Sequence, residues 1–167
     1  MAAFFVFILW MHFMAKVNLT LMTICLFISS IANSAEFRHC SLDENVVFSC
    51  AVGEKIASIC ASKDSSMDSG YAQYRFGLPD KTEFNYPENK MPANINFTIK
   101  YDLESSYISF KDNLLTYKLK LSKNTSAYSV IEVSNSEKII SSTSCTSTAI
   151  VSDKDELISW GFKEVLN

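Results

Sequence analysis

"FSCAVGEKIASICAS", Phe48 to Ser62, sets two cysteines ten residues apart around a Gly-Glu pair. Gly53-Glu54 fits a two-residue hairpin turn in which the glycine supplies positive φ. Around that turn Val52 faces Lys55, Cys50 faces Ala57, Phe48 faces Ile59 and Val47 faces Cys60. Opposed residues share a face of a sheet and successive ones alternate, so Cys50 lies with Phe48 and Ile59 while Cys60 lies on the other side. Cysteines whose Cβ atoms diverge do not bridge each other. A three-residue loop would shift the register and bring both to one face. With the shorter turn the stretch is an antiparallel hairpin whose two cysteines each need a partner elsewhere.

The rest of the cysteine inventory depends on the N-terminus. Met14-Ala-Lys16, an apolar run and then "SSIANSA" follow the order of an export signal: charge, hydrophobic segment, small residues for cleavage. The expectation is a signal peptide over residues 1–35, with 1–13 an upstream extension from a misassigned start. The rival is an uncleaved membrane anchor, since residues 3–31 exceed the roughly 20 apolar residues that span a bilayer. Cleavage removes Lys16, one of 15 basic side chains, and none of the 18 acidic ones, leaving a chain near −4. Residues 36–167 then suit one domain with a single core. Only Arg38 and Arg75 are arginines, which disfavours a nucleic-acid partner. Cys40, Cys50, Cys60 and Cys145 remain, and an even number in an exported chain points to disulfides in a periplasmic or secreted protein. Cys50 with Cys145 and Cys40 with Cys60 is one assignment, and the exchange of Cys50 and Cys60 between those partners is the other.

Alternation of apolar and polar residues marks strands at 46–51, 55–61, 71–77, 82–86, 95–102, 105–111, 114–121, 127–134 and 138–146. Asp112-Asn113, Asn135-Ser136 and "LPDK" supply turns between them. In "LLTYKLKL", Leu115, Tyr117, Leu119 and Leu121 face a core, whereas Thr116, Lys118 and Lys120 face water. Residues 62–70 read as a polar, flexible connection and 87–94 as a loop carrying two of the three prolines. At the end Asp153 and Glu156 form a capping box ahead of Leu157, Ile158, Gly161, Phe162, Val165 and Leu166 on one helical face. The expected fold is mainly β, an antiparallel barrel or sandwich of about eight strands with a short C-terminal helix.

Catalytic constellations are sparse. His39 is the only histidine after residue 35, and the cysteines stand ten, ten and eighty-five residues apart, far from zinc-ligand spacing. Neither a metal nor a cofactor is expected. Asp102/Glu104 and Asp153/Asp155/Glu156 are the carboxylate groups a hydrolase could use, although edge solvation and helix capping also account for them. "GYAQYRFG" is richer. Tyr71, Gln73 and Arg75 share one strand face, a phenol, an amide and a planar cation in a row, as recognition surfaces often present. The opposite set, Ala72, Tyr74 and Phe76, reads as core. The plain alternative is that Arg75 pairs with a nearby carboxylate such as Glu83 and Tyr71 covers an edge.

"FSCAVGEKIASICAS", "GYAQYRFG" and "EFNYP" together resemble a family of small, uncharacterised exported bacterial β-proteins. Their shared pattern is Phe-x-Cys, Lys-x-x-Ser-x-Cys-Ala-Ser, Gly-Tyr-x-Gln-Tyr-Arg-Phe-Gly and a late cysteine, here Cys145; it brings no established activity. "FSCAVGEK" is similar to the first hairpin of periplasmic inhibitors of C-type lysozyme, with "DSGYAQY" the counterpart of their inhibitory loop and no counterpart of their Trp-Lys-Gly pattern. The expected function is a non-enzymatic binding or inhibitor module acting on a protein partner such as a cell-wall lytic enzyme or toxin. An envelope hydrolase using carboxylates and a structural envelope component are the alternatives, with membrane contact only through an uncleaved signal.

Overall fold

The computed structural model describes residues 38–101, 106–121 and 129–165. The expected signal segment, the Asp102/Glu104 pair and the ends of several expected strands lie outside them. Two sheets face each other across one core and share no strand pair, so the fold is a sandwich rather than a barrel. The first sheet has the order β10-β1-β2-β3-β4: β1 (Glu44–Val52), β2 (Lys55–Ser62), β3 (Ala72–Leu78), β4 (Lys81–Met91) and the two-residue β10 (Ile150–Val151). The second runs β11-β5-β6-β7-β8-β9: β5 (Phe97–Lys100), β6 (Ser106–Asp112), β7 (Leu115–Leu121), β8 (Val130–Asn135), β9 (Lys138–Ser144) and β11 (Lys163–Glu164). Every pairing is antiparallel except β11 on β5. Among the described residues eleven strands stand where nine segments were marked and about eight strands expected, and the two beyond the nine segments are the two-residue pieces β10 and β11 late in the chain.

The opening hairpin forms on the two-residue turn, with Gly53 at φ +62° and Val52 opposite Lys55. Cys50 opposes Ala57 and Phe48 opposes Ile59 as the spacing demands, but a bulge at Val47 puts Val46, not Val47, across from Cys60. Bulges absorb one extra residue without flipping the remainder of the strand, so the two cysteines still serve opposite faces. Cys50 joins the core with Phe48, Ala57 and Ile59; Cys60 is buried on the outer face. Cys40 bonds Cys60 and Cys50 bonds Cys145, with Cα atoms 5.3 and 5.8 Å apart.

Three expectations change. Residues 87–94 are not a plain loop: β4 continues through the cis Tyr86–Pro87 bond to Met91, and a short helix, α1 (Ala93–Asn96), carries the chain to the second sheet. Residues 62–70 form a folded turn, because Ser62 and Ser66 close backbone bonds with Tyr71 and Ser69, and Ser69 Oγ donates to the Asp64 carbonyl at 2.8 Å. The terminal helix, α2 (Lys154–Ser159), has the capping box of Asp153 and Glu156 but stops at Trp160. Gly161 takes φ +85°, its N–H reaches the Ile158 carbonyl and the Phe162 N–H the Leu157 carbonyl. That pair of bonds is the Schellman stop, so Gly161 ends the helix instead of weakening its middle, and Phe162 folds back into the core beside Leu157.

Candidate functional site

The outer face of the first sheet carries the row Tyr71, Gln73, Arg75. Residues 38–43 cross this face, pinned by Cys40–Cys60 and by the His39 N–H on Ser58 Oγ at 3.0 Å. Beneath them Arg75 grips Glu44 with two bonds, Nη1 to Oε2 at 2.7 Å and Nη2 to Oε1 at 2.6 Å. Arg75 also bonds the His39 carbonyl and Gln73 Oε1. Gln73 Nε2 donates to the Pro87 carbonyl at 2.9 Å, and the Tyr71 hydroxyl donates to Glu44 Oε1 at 2.7 Å. The side chains of Arg75 and Glu44 are 13% and 2% exposed. Burial pushes the Glu44 carboxyl up, but bonds from Arg75, Tyr71 and Ser41 outweigh it and hold the group at about 2.

This arrangement corrects the expectation of an exposed row. The three side chains are together, but their polar atoms are engaged by other residues of the fold, and Lys90 covers Tyr71 from outside, its Nζ 4.1 Å from the ring centroid and donating to the hydroxyl at 2.9 Å. The partner carboxylate also differs: Glu83 pairs with Lys55, and Glu44 takes Arg75. The sequence does hold a sign of Glu44, because "SLDE" is a Ser-x-x-Glu turn, and the Ser41 N–H and Oγ both reach Glu44 Oε2 at 2.8 Å. Of the carboxylates considered for hydrolysis, Asp153 and Glu156 are engaged in the cap of α2. Among the described residues no three His, Cys, Asp or Glu side chains gather into a metal-holding group.

Open space lies between the sheets instead. A cleft of about 340 Å³ takes Val52, Tyr74, Phe76 and Phe84 from the first sheet. Tyr117, Ile131 and Val133 face them from the second, and Ser141 and Thr143 of β9 complete the lining. Its aromatic wall belongs to a larger stack: Phe84 on Tyr117 with centroids 5.7 Å apart, Tyr117 on Phe110 at 4.7 Å, and Tyr74 tilted against Phe110 at 5.0 Å. Tyr74 is 3% exposed and its hydroxyl makes no hydrogen bond to another described residue, but it is not one of the sealed polar atoms. Burial, reinforced by the neighbouring Tyr117, pushes the Tyr74 phenol up and keeps it neutral. A second hollow of about 310 Å³ lies beyond Phe110, where the sealed Asn94 Oδ1 and Asn96 Nδ2 lack partners among the described residues. Alternation placed Tyr74 and Phe76 inward, but the facing wall comes from strands 40 to 70 residues later, a distance that a local pattern does not bridge.

Fold and site together define a disulfide-tied β-sandwich with an aromatic cleft between its sheets. No family model, curated protein or solved structure matches the chain. Two disulfides suit an oxidising, extracytoplasmic compartment, and no helix among the described residues is long and apolar enough to cross a membrane.

Proposed function

We propose that the protein is an exported, non-enzymatic binding module whose contact with a protein partner is made at the aromatic cleft between the sheets. The observation that carries this reading is a mainly apolar cleft holding a few hydroxyls, which is the make-up of a binding site, in a molecule where Arg75 and Glu44 are paired and Asp153 and Glu156 are taken up by a helix cap. The row at Tyr71, Gln73 and Arg75 then serves as the scaffold behind that site. A cell-wall lytic enzyme or toxin is the partner class suggested by the similarity to periplasmic lysozyme inhibitors.

The test is a cleft-filling substitution, Thr143→Trp, at an exposed position of β9 that lines the opening. Protein recovered from cells, wild type and variant, is used to capture partners and to titrate lysozyme activity. A partner held by the wild type and released by the variant, at equal urea midpoint, supports the reading. Equal capture by both overturns it.

A further inference from the structure

We propose that the cleft recognises a neutral phenolic ring, presented as a tyrosine side chain of the protein partner. This rests on the reading of the cleft as the contact site and adds the chemistry it selects.

Three features carry the inference. First, the walls are flat: Phe84 and Tyr117 lie 19° from coplanar, and Phe76 shares the lining. Aromatic pairs in offset or edge contact gain more than the area they bury accounts for, which favours a ring as the occupant. Second, none of the nine lining residues is charged. A charged occupant would lose its water without a counter-charge, which is strongly unfavourable, so the occupant is neutral. Third, Tyr74 lines the cleft and its hydroxyl makes no hydrogen bond to another described residue, so an occupant that displaces water from it must supply a partner or leave it unbonded. A phenol accepts from Tyr74 and still has a proton to donate. Tyr117 stands across from Tyr74, their centroids 6.3 Å apart, and the hydroxyls of Ser141 and Thr143 belong to the exposed strand β9, so acceptors are present on the second sheet's wall. Toluene or a phenylalanine side chain would fill the same space and leave Tyr74 unbonded.

The tests use four probes: p-cresol, toluene, and the capped tripeptides Ala-Tyr-Ala and Ala-Phe-Ala. Binding is followed by proton NMR with wild type, Tyr74→Phe and Thr143→Trp. The expected result is a preference of about fivefold for each hydroxylated probe in the wild type, the worth of one neutral hydrogen bond. Tyr74→Phe abolishes the preference while retaining toluene, and Thr143→Trp excludes all four. Equal binding of p-cresol and toluene, or a preference that survives Tyr74→Phe, overturns the proposal. Binding of p-cresol with exclusion of Ala-Tyr-Ala overturns the tyrosine in favour of a free small phenol. Should Tyr74→Phe fail to fold, the wild-type preference and its loss in Thr143→Trp decide. Failure here leaves partner capture intact, whereas equal capture by Thr143→Trp removes the contact reading itself.

Discussion

Arg75 has its two terminal nitrogens on the two oxygens of Glu44, under the crossing segment 38–43. A bidentate pair this far from water is a constraint on folding: removing either partner leaves an uncompensated charge and costs about 3 kcal/mol or more. Arg75→Met and Glu44→Gln are therefore expected to lower the urea-unfolding free energy by about 3 kcal/mol each, with the double variant less destabilised than their sum. Arg75→Ala is for the same reason a poor probe of binding, since its effect on partner capture would pass through stability. The pair also sets an acid limit. Glu44 titrates at about 2 in the folded protein against an ordinary 4.5, so it contributes stability in full above pH 4.5 and loses it as pH falls through 2. Urea midpoints measured from pH 7 to pH 2 should show that loss in the wild type and a flatter profile in Glu44→Gln. Arg75 stood out in the sequence because few side chains offer a planar cation beside an amide and a phenol. Its partner did not, because Glu44 lies 31 residues away and comes near only through the pairing of β1 on β2 and of β2 on β3.

At the scale of elements, the two ends of α2 show what local chemistry reveals and where it stops. The capping box at Asp153 and Glu156 is a reciprocal bond between residues three apart, so the sequence announces it. The stop at Gly161 is different. A glycine there is compatible with a weakened helix interior or a left-handed end, and the choice is made by residues 62–70, which fold against it. Ser65 Oγ donates to the Trp160 carbonyl at 2.9 Å, and a Cβ added at Gly161 would stand 2.2 Å from the Ser66 carbonyl oxygen. Gly161→Ala should thus cost more than the roughly 1–2 kcal/mol of a left-handed alanine, because Ser66 must also move. Thermal unfolding would register this as a lowered midpoint; an unchanged midpoint would mean that the contact with Ser66 is dispensable. The hairpins were legible for the opposite reason. Gly53, Asn113 and Ser136 all take positive φ within two-residue turns, although the last two turns close one residue later than the composition suggested, at Asn113-Leu114 and Ser136-Glu137.

Across the whole molecule, alternation told which residues face inward but not which inward faces meet, so a mainly β barrel or sandwich was readable while the choice of the sandwich and its cleft were not. The meeting is fixed by contacts of long sequence separation, and the disulfides divide that task. Cys50–Cys145 closes 95 residues and ties β1 of the first sheet to the segment leaving β9 of the second, where the Thr146 N–H also bonds the Ala51 carbonyl at 2.7 Å. Cys40–Cys60 closes 20 residues and holds the covering segment on one outer face. Restriction of the unfolded chain alone gives about 4.7 kcal/mol for the long loop and about 3.3 kcal/mol for the short one at 25 °C. The two should also differ in kind. With Cys50 and Cys145 both replaced by serine, the Glu44–Arg75 pair stays covered, so stability should fall by a similar amount at every pH and the acid-linked loss should persist. With Cys40 and Cys60 replaced, the cover over Glu44 is released, water screens its bonds and its carboxyl returns toward 4.5. The stability deficit of that variant should then be largest at neutral pH and shrink toward pH 2, because the wild type loses there what the variant never had. Urea titrations of both double variants between pH 7 and pH 2 separate these shapes. Parallel profiles for the two would mean that Glu44 and Arg75 hold each other without the cover that Cys40 anchors.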